Sequence, residues 1–525
     1  MTPDPPNPRK TAQSLYGKLT SDRDPHLTRA RKCAQITLPA LLPPQGTTGS
    51  TQLYVPYQSV GARGTNNLAN AMTMALLPPS APFFRFLMDE QTKAELIQDE
   101  TRKAEVDAAL GSLERSIMVK IEQLALRSTI TEMFKHLIVT GSSLLVFDAK
   151  GKPRLFRLDN FVVRRSPDGT VLDVITEEQV AFGALPPDVK EMILSLDTNS
   201  PEDYPEDKTV NLYTHIYKEG NKYRTLQECH GQIIPGTEGS YPIDAPKFLA
   251  LRWVKQDGSS YGRSHCEEYI GDLNAIEGLS KDVLEGSAIA ARTIFGVNPS
   301  SPAASQIKQL SQLRNGGFAV FREGDIHALR TNKAEDLSIT SGSIDKLERR
   351  LSMAFLMNSA IQRDAERVTA EEIRYMAGEL ENAFGGIYSL MSQEFQLPLV
   401  NIVMRVMESE SKLPPLPKDV ITPTVVTGTE ALGRGQDLTK LDHLLTRLGQ
   451  LGPEALGLLN LSTLVTRIAT ALAIDTDGLV KTQEQLEAEQ QAQQEQISNQ
   501  QMADIAGKAV GPAIASAQKA QVSDV

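Results

Sequence analysis

Apolar residues recur at Ile373, Met376, Leu380, Ala383, Ile387 and Leu390, with Ala377, Phe384 and Met391 widening the stripe. This 3-4 spacing, kept up over about five turns, predicts a long amphipathic helix that buries one face along its length. Thr369 and Glu372 form a T-x-x-E capping box that marks its start. Gly385, Gly386 and Pro398 predict kinks before the pattern fades near Ser411. At 1.5 Å per residue, a continuous 369–411 helix would reach about 60 Å. Just upstream, 358–368 is a short polar loop carrying Gln362, Arg363, Asp364, Glu366 and Arg367. On pattern alone it is a solvated loop between two core helices.

Elsewhere the period changes along the chain. Residues 13–140 read mostly helical. Ser59–Leu77 carries Ala, Met and Leu on one face and is stopped by Pro78-Pro79, and Ala104–Val139 gives at least two more amphipathic runs. From about Pro153 the pattern alternates. FVVRRSPDGTVLDVIT, broken by Pro167-Asp168-Gly169, predicts a hairpin. NLYTHIY and YRTLQEC, separated by KEGNK, predict a second strand pair, so 153–255 reads as a β-rich insert.

A helix over Ser264–Arg292 follows, with Ile270, Leu273, Ile276, Val283 and Leu284 apolar and an opposite face carrying Glu267, Glu268, Asp272, Glu277, Asp282 and Glu285. Gly296–Asp336 is punctuated by Pro and Gly, with GGFAVF as a short strand and PAASQIKQLSQL as a short helix. A second helix covers Ile339–Met357. Two helices thus flank a compact α/β excursion. ITPTVVTG at 421–428 is a lone strand that must find a partner elsewhere, and 437–475 holds short Leu-rich helices. Residues 1–12 are Pro-rich, and 483–501 is Gln/Glu-rich low complexity before an Ala-rich end. The fold class is mainly α with a β-rich insert (α+β).

Length and charge narrow the function. A chain of 525 residues supports two to four core-bearing units. A net charge of −11 disfavours a protein that binds nucleic acid over its whole surface, while permitting local basic rings. Cys33, Cys229 and Cys266 have no CxxC spacing, so neither a disulfide framework nor a zinc site is predicted. The most apolar short run, Leu137–Phe147, is too short and polar to span a bilayer, and no secretory h-region opens the chain. Membrane association is therefore not expected.

Candidate chemistry is sparse. There is no phosphate-binding GxxxxGK[ST] loop, dinucleotide GxGxxG, nucleophile elbow or HExxH. His265-Cys266 has no second ligand pair nearby, which favours a structural role, and Glu267-Glu268 and Glu371-Glu372 are first-turn charges favoured by the helix dipole. No catalytic residue, metal or cofactor is predicted, which argues against an enzyme. Arg363 and Arg367 matter little in one copy, but in a ring with the loop facing the centre each becomes a ring of charge.

Seven blocks carry a resemblance: SVGARGTNNLA (59–69), QVAFGALP (179–186), YTHIY (213–217), DGSSYGRS (257–264), RVTAEEIRYMAGELE (367–381), GGIYSLMSQEFQLPLV (385–400) and GRGQDL (433–438). In this order they resemble the portal (head-to-tail connector) proteins of short-tailed, autographivirus-type bacteriophages, over residues 14 to about 480. The Gln-rich C-terminus departs from that pattern.

The resemblance implies a twelve-fold homo-oligomeric ring at one capsid vertex of the virion, assembled in the host cytoplasm. Its channel would pass double-stranded DNA during packaging and ejection. It also implies a disordered 1–12, a wing at 13–257 returning at 412–436, stem helices at 258–294 and 337–357, and a clip at 295–336. The channel loop would be 358–368, the kinked tunnel helix 369–411, the crown 437–480 and a tail 481–525. Implied partners are terminase and then a tail adaptor at the clip, major capsid and scaffolding proteins, and internal core proteins at the crown. Nucleation of head assembly is implied as well. Twelve copies of a chain this acidic make a mostly repulsive wall, which suits sliding DNA better than gripping it. The competing readings are a non-channel assembly scaffold and a packaging-associated nucleic-acid enzyme.

Overall fold

The computed structural model describes residues 11–411 apart from 80–81, 89–99, 149, 197–203, 291–293, 298, 301, 306, 313–323, 330–333, 358–377 and 379–382. It also describes 421–425, 445–447 and 450. Two compact units divide the chain, 1–100 with 112–428 and 101–111 with 429–525. The elements that position the site belong to the first.

Helices dominate the N-terminal part. α1 (Ala12–Ile36) starts at Thr11, whose side chain accepts from the Ser14 amide, and buries Tyr16, Leu19, Leu27, Ala30 and Ala34 at 3-4 spacing. α2 (Val60–Leu76) matches the helix expected over 59–77. α3 (Glu100–Gln123) and α4 (Leu126–Thr140) are the two runs expected within 104–139. α4 is the central core helix, with Ile130, Met133, Phe134, Leu137 and Ile138 wholly buried. It ends at Gly141, whose φ of +79° closes the C-cap through a bond from its amide to Leu137 O. A Cβ there would stand 2.6 Å from Gly262 O, so glycine is also required by the close backbone approach.

Within the helical stretch the structure adds a strand that periodicity did not reveal, β1 (Phe84–Met88). β2 (Ser142–Phe147) and β3 (Pro153–Phe156) follow. The predicted hairpin is β4 (Phe161–Arg165) with β5 (Val171–Ala181), and the second pair is β6 (Thr209–Glu219) with β7 (Lys222–Cys229). Between them lies a helix the alternating pattern hid, α5 (Pro187–Leu196), packed on Phe182, Tyr204 and Val210. With β8 (Gln232–Ile233) and β9 (Gly239–Pro242), these strands form a six-stranded antiparallel sheet in the order β4-β5-β6-β7-β8, with β9 on β7. α1 lies on it through Ala12, Tyr16 and Leu19 against Val162, Ile175 and Tyr213. Buried Glu228 of β7 accepts from the free amides of Ala12 (2.6 Å) and Gln13 (3.1 Å), a carboxylate placed at a helix N-terminus.

β10 (Phe248–Arg252) joins β2 and β3 in a three-stranded sheet. The helix expected over 264–292 is split into a single turn, α6 (His265–Glu268), and α7 (Ile270–Ala290). The excursion contains β11 (Ile294–Val297), the single-turn helices α8 (Pro302–Ser305) and α9 (Ile307–Leu310), and β12 (Ile326–Leu329), which pairs with β11. GGFAVF lies outside the described residues. α10 (Ala334–Ala354) runs back along α7. α11 (383–391), a π turn at Ser392–Gln396 and α12 (Leu397–Ser409) follow. The lone strand is β13 (Ile421–Val425), and its partner is β1, antiparallel from Phe84↔Val425 to Met88↔Ile421. The fold is thus a mixed helix-and-sheet protein.

Candidate functional site: the root of the helix pair

α7 and α10 are each 21 residues long, about 30 Å. They run antiparallel. Arg350 meets Asp272 at 2.8 Å near one end, and a Cβ on Gly286 would come within 3.1 Å of Leu337 near the other. The excursion between them leaves from the far tip. α10 ends at the root, where Phe355 and Met357 are buried against the body.

The root is an aromatic cluster. His265, only 1% exposed, has the Phe355 and Tyr269 ring centroids at 5.0 Å and those of Trp253 and Phe384 at 5.3 Å. Its Nε2–H donates to Ala354 O at 3.0 Å, which joins α6 to the last turn of α10. Nδ1 is buried without a partner, so protonation would create a donor with no acceptor. Burial pulls this imidazole down to about 4. α2 packs close by. A Cβ on Gly64 would sit 2.6 Å from the Phe355 ring, so only glycine lets the two approach.

The end of α10 is fixed in detail. Asn67 of α2 donates from Nδ2 to Phe355 O (3.1 Å) and Leu356 O (2.9 Å), satisfying carbonyls the helix leaves free. Leu356 turns left-handed at φ +52°, and buried Met357 donates its amide to Ser352 O. Downstream, Tyr388 OH donates to Ala75 O, Gln396 Nε2 donates to Leu76 O at 2.8 Å, and Arg252 pairs with Glu394. Phe395 meets Phe134 edge-on at 5.5 Å. The end of α10 and the elements α11 to α12 are thereby packed on one body.

Of the sequence-predicted residues, Gln362, Arg363, Asp364, Glu366, Arg367, Thr369 and Glu372 lie outside the described residues. Gly385 and Gly386 lie inside α11 with ordinary helical assignment. The departure from α geometry comes after them, at Ser392–Gln396, where the ladder widens by one residue ahead of Pro398.

Four of the six carboxylates have partners within the chain. Glu267 pairs with Arg29 (3.2 Å) and Arg263, Asp272 with Arg350, and Glu285 with Lys281. Glu277 is buried and accepts from Tyr54 OH (2.6 Å), the Tyr57 amide (2.9 Å) and the Gln58 amide (3.3 Å). Glu268 and Asp282 are exposed. Sequence reasoning missed the role of Glu277, since nothing at position 277 signals partners some 220 residues earlier.

His265 and Cys266 are packed, as a structural role requires. Burial pushes the Cys33 thiol up to about 11 and the Cys266 thiol well above its usual range, leaving neither a thiolate at neutral pH. Among the described residues no group of three His, Cys, Asp or Glu could hold a metal ion, and no helix is long and apolar enough to cross a membrane.

The family model described as bacteriophage head to tail connecting protein matches residues 9–480. The chain belongs to this family. Curated relatives include the portal protein of Enterobacteria phage T3, 41% identical over 91% of this chain and 89% of that protein. That of Escherichia phage T7 is 40% identical over 90% and 89%. The portal protein of Pseudomonas phage phiKMV is 29% identical over 94% and 96%. Among solved structures, the neck of an empty gene transfer agent particle with C6 symmetry covers 84% of this chain and 94% of that one at 13% identity. Its TM-score is 0.36, too low to fix how the parts are arranged. As a head-to-tail connector the chain has a portal role, and its relatives carry the name of a portal, not of an enzyme.

Proposed function

We propose that copies of this chain close into a twelve-fold ring at one capsid vertex, around a channel for double-stranded DNA entering during packaging and leaving during ejection. The observation that carries this reading is the two-ended helix pair. A pair about 30 Å long is rooted in a buried aromatic cluster, with β11 and β12 paired beyond its tip and the charged run 358–368 next in sequence after its root. The pair is the stem (258–294 and 337–357), the tip is the clip (295–336), and the loop at 358–368 faces the channel. The body at 13–257 with 412–436 is the wing, and 437–480 is the crown. Terminase docks on the clip during packaging and a tail adaptor afterwards. Core proteins face the crown, and major capsid and scaffolding proteins surround the ring.

The loop sets how the wall meets DNA. In this reading Gln362, Arg363, Asp364, Glu366 and Arg367 line the narrowest part, and alternating signs give weak, transient phosphate contacts that do not stall sliding. Changing Arg363 and Arg367 together to Ala in the assembled particle should lower the yield of particles that keep a full genome several-fold. The deficit relative to wild type should be largest at low salt and narrow as salt rises, because the lost contacts are electrostatic and are screened in the wild type too. Unchanged packaging and retention would remove DNA contact from the loop's role.

A further inference from the structure

Arg165, Arg252 and Lys255 crowd the turn between β4 and β5, and the acid paired with them is Glu394. Arg165 is spent on backbone, since its guanidinium donates to Gly169 O (3.0 Å), Ser260 O (3.2 Å) and Ala250 O (2.8 Å). Arg252, at the end of β10 and only 3% exposed, pairs with Glu394 through Nη2. That pair is incomplete, because Arg252 Nε and Glu394 Oε2 are both buried without a partner. Lys255 is exposed, and among the described residues nothing bonds to its ammonium. Asp168 in the turn is already committed to the Thr170 amide (2.9 Å) and hydroxyl (2.8 Å).

Two of these cations converge on one place. Gly169 has a φ of +96°, and a Cβ there would stand 3.4 Å from both Arg252 Nη2 and Lys255 Nζ. The two nitrogens are therefore no further apart than twice that distance. Two oxygens of one phosphate bridge such a gap with charge-assisted bonds of about 2.8 Å. Glycine leaves the gap open, where a side chain would partly fill it. Burial and the charge of Arg252 pull Arg165 down to about 10, so the guanidiniums repel one another across the turn. Lys255 adds to that repulsion, and an anion beside Gly169 would relieve it.

We propose that the gap beside Gly169 binds a free phosphate-sized oxyanion, held by Arg252 Nη2 and Lys255 Nζ. The ligand is a small ion because Arg252 is almost wholly enclosed, and a phosphate carried on a duplex cannot follow it inside. The bound ion shares Arg252 with Glu394. It therefore ties the β4–β5 turn and the end of β10 to the π turn at Ser392–Gln396. The site lies within one chain and does not depend on the ring reading.

Calorimetric titration of inorganic phosphate into the full chain, with ionic strength held constant by chloride, tests it. Binding should saturate, and Lys255→Met should weaken it by about tenfold or more, the usual cost of losing a charged donor. In chloride alone Lys255→Met should melt no lower than wild type, because it removes only repulsion. In phosphate the wild type should gain more in melting temperature than the variant. Equal gains would mean that phosphate acts by exclusion from the whole surface, and would overturn the site, as would binding that does not saturate. Lys255→Glu supplies a carboxylate in the ion's place. It should abolish the phosphate response and raise the melting temperature in chloride, and a response that survives it would count against the site. A short DNA duplex added to the phosphate-loaded protein should leave the ion bound, and its displacement would overturn the assignment to a free ion.

Discussion

Phe355→Ala is expected to destabilise the protein by about 3–5 kcal/mol, the usual cost of emptying a buried aromatic site that cannot collapse. Phe355 is fully buried, edge-on to His265 and pressed against Gly64. Its backbone carbonyl is held by Asn67. Three elements, α2, α6 and the end of α10, therefore lose a common contact, and helix backbones do not close such a gap readily. The loss should be local as well as global. Amide hydrogen exchange in α10 and at 355–357 should accelerate more than in the six-stranded sheet, because the cluster is what ties the helix pair to the body. Equal acceleration everywhere would show that the root does not hold the pair independently.

Acid should loosen the same root before it attacks the sheet. His265 and His136 are both buried neutral, with burial pulling each to about 4 from an ordinary value of 6.5. Between these values the unfolded chain binds protons that the folded chain refuses. Stability is therefore complete above about pH 6.5 and falls as pH drops towards 4, by roughly 3 kcal/mol for each histidine.

Asp173 works in a lower window. Burial raises its carboxyl, but bonds from His215 and Arg164 outweigh this and leave it below its ordinary 3.8. Its contribution is lost only as pH falls below that value. Urea denaturation midpoints at pH 7, 5.5 and 4.5 should fall steadily. His265→Gln, which keeps a donor for Ala354 O without titrating, should flatten the slope. An unchanged slope would show that His265 is not a source of the acid sensitivity.

Local signals in the sequence mapped onto local structure. Alternation around Pro167-Asp168-Gly169 located β4 and β5, and 3-4 spacing located α2, α7 and α10, since each pattern reports a face buried by neighbours. Features fixed by distant partners were not legible. β1 is five residues in a helical neighbourhood, and it is a strand because β13, more than 300 positions later, supplies its hydrogen bonds. Glu277 looks like any solvated helix acid until the 54–58 segment folds onto it.

The glycines at 385 and 386 looked like the weak point of a long helix. The irregularity instead falls at Ser392–Gln396, where Glu394 and Gln396 are committed to Arg252 and Leu76 and the backbone accommodates both. The charges of 358–368 are legible in the sequence, and those residues lie outside the described ones. The structure adds the root cluster, which fixes the end of α10 at Phe355–Met357.

The central claim is a ring with a channel, and imaging purified protein by negative stain or cryo-electron microscopy tests it most directly. The account predicts closed rings, twelve-fold in end view, with a central hole and with the α7–α10 pairs running along the axis. Compact monomers, or closed particles without a hole, at concentrations where the protein is folded would contradict it.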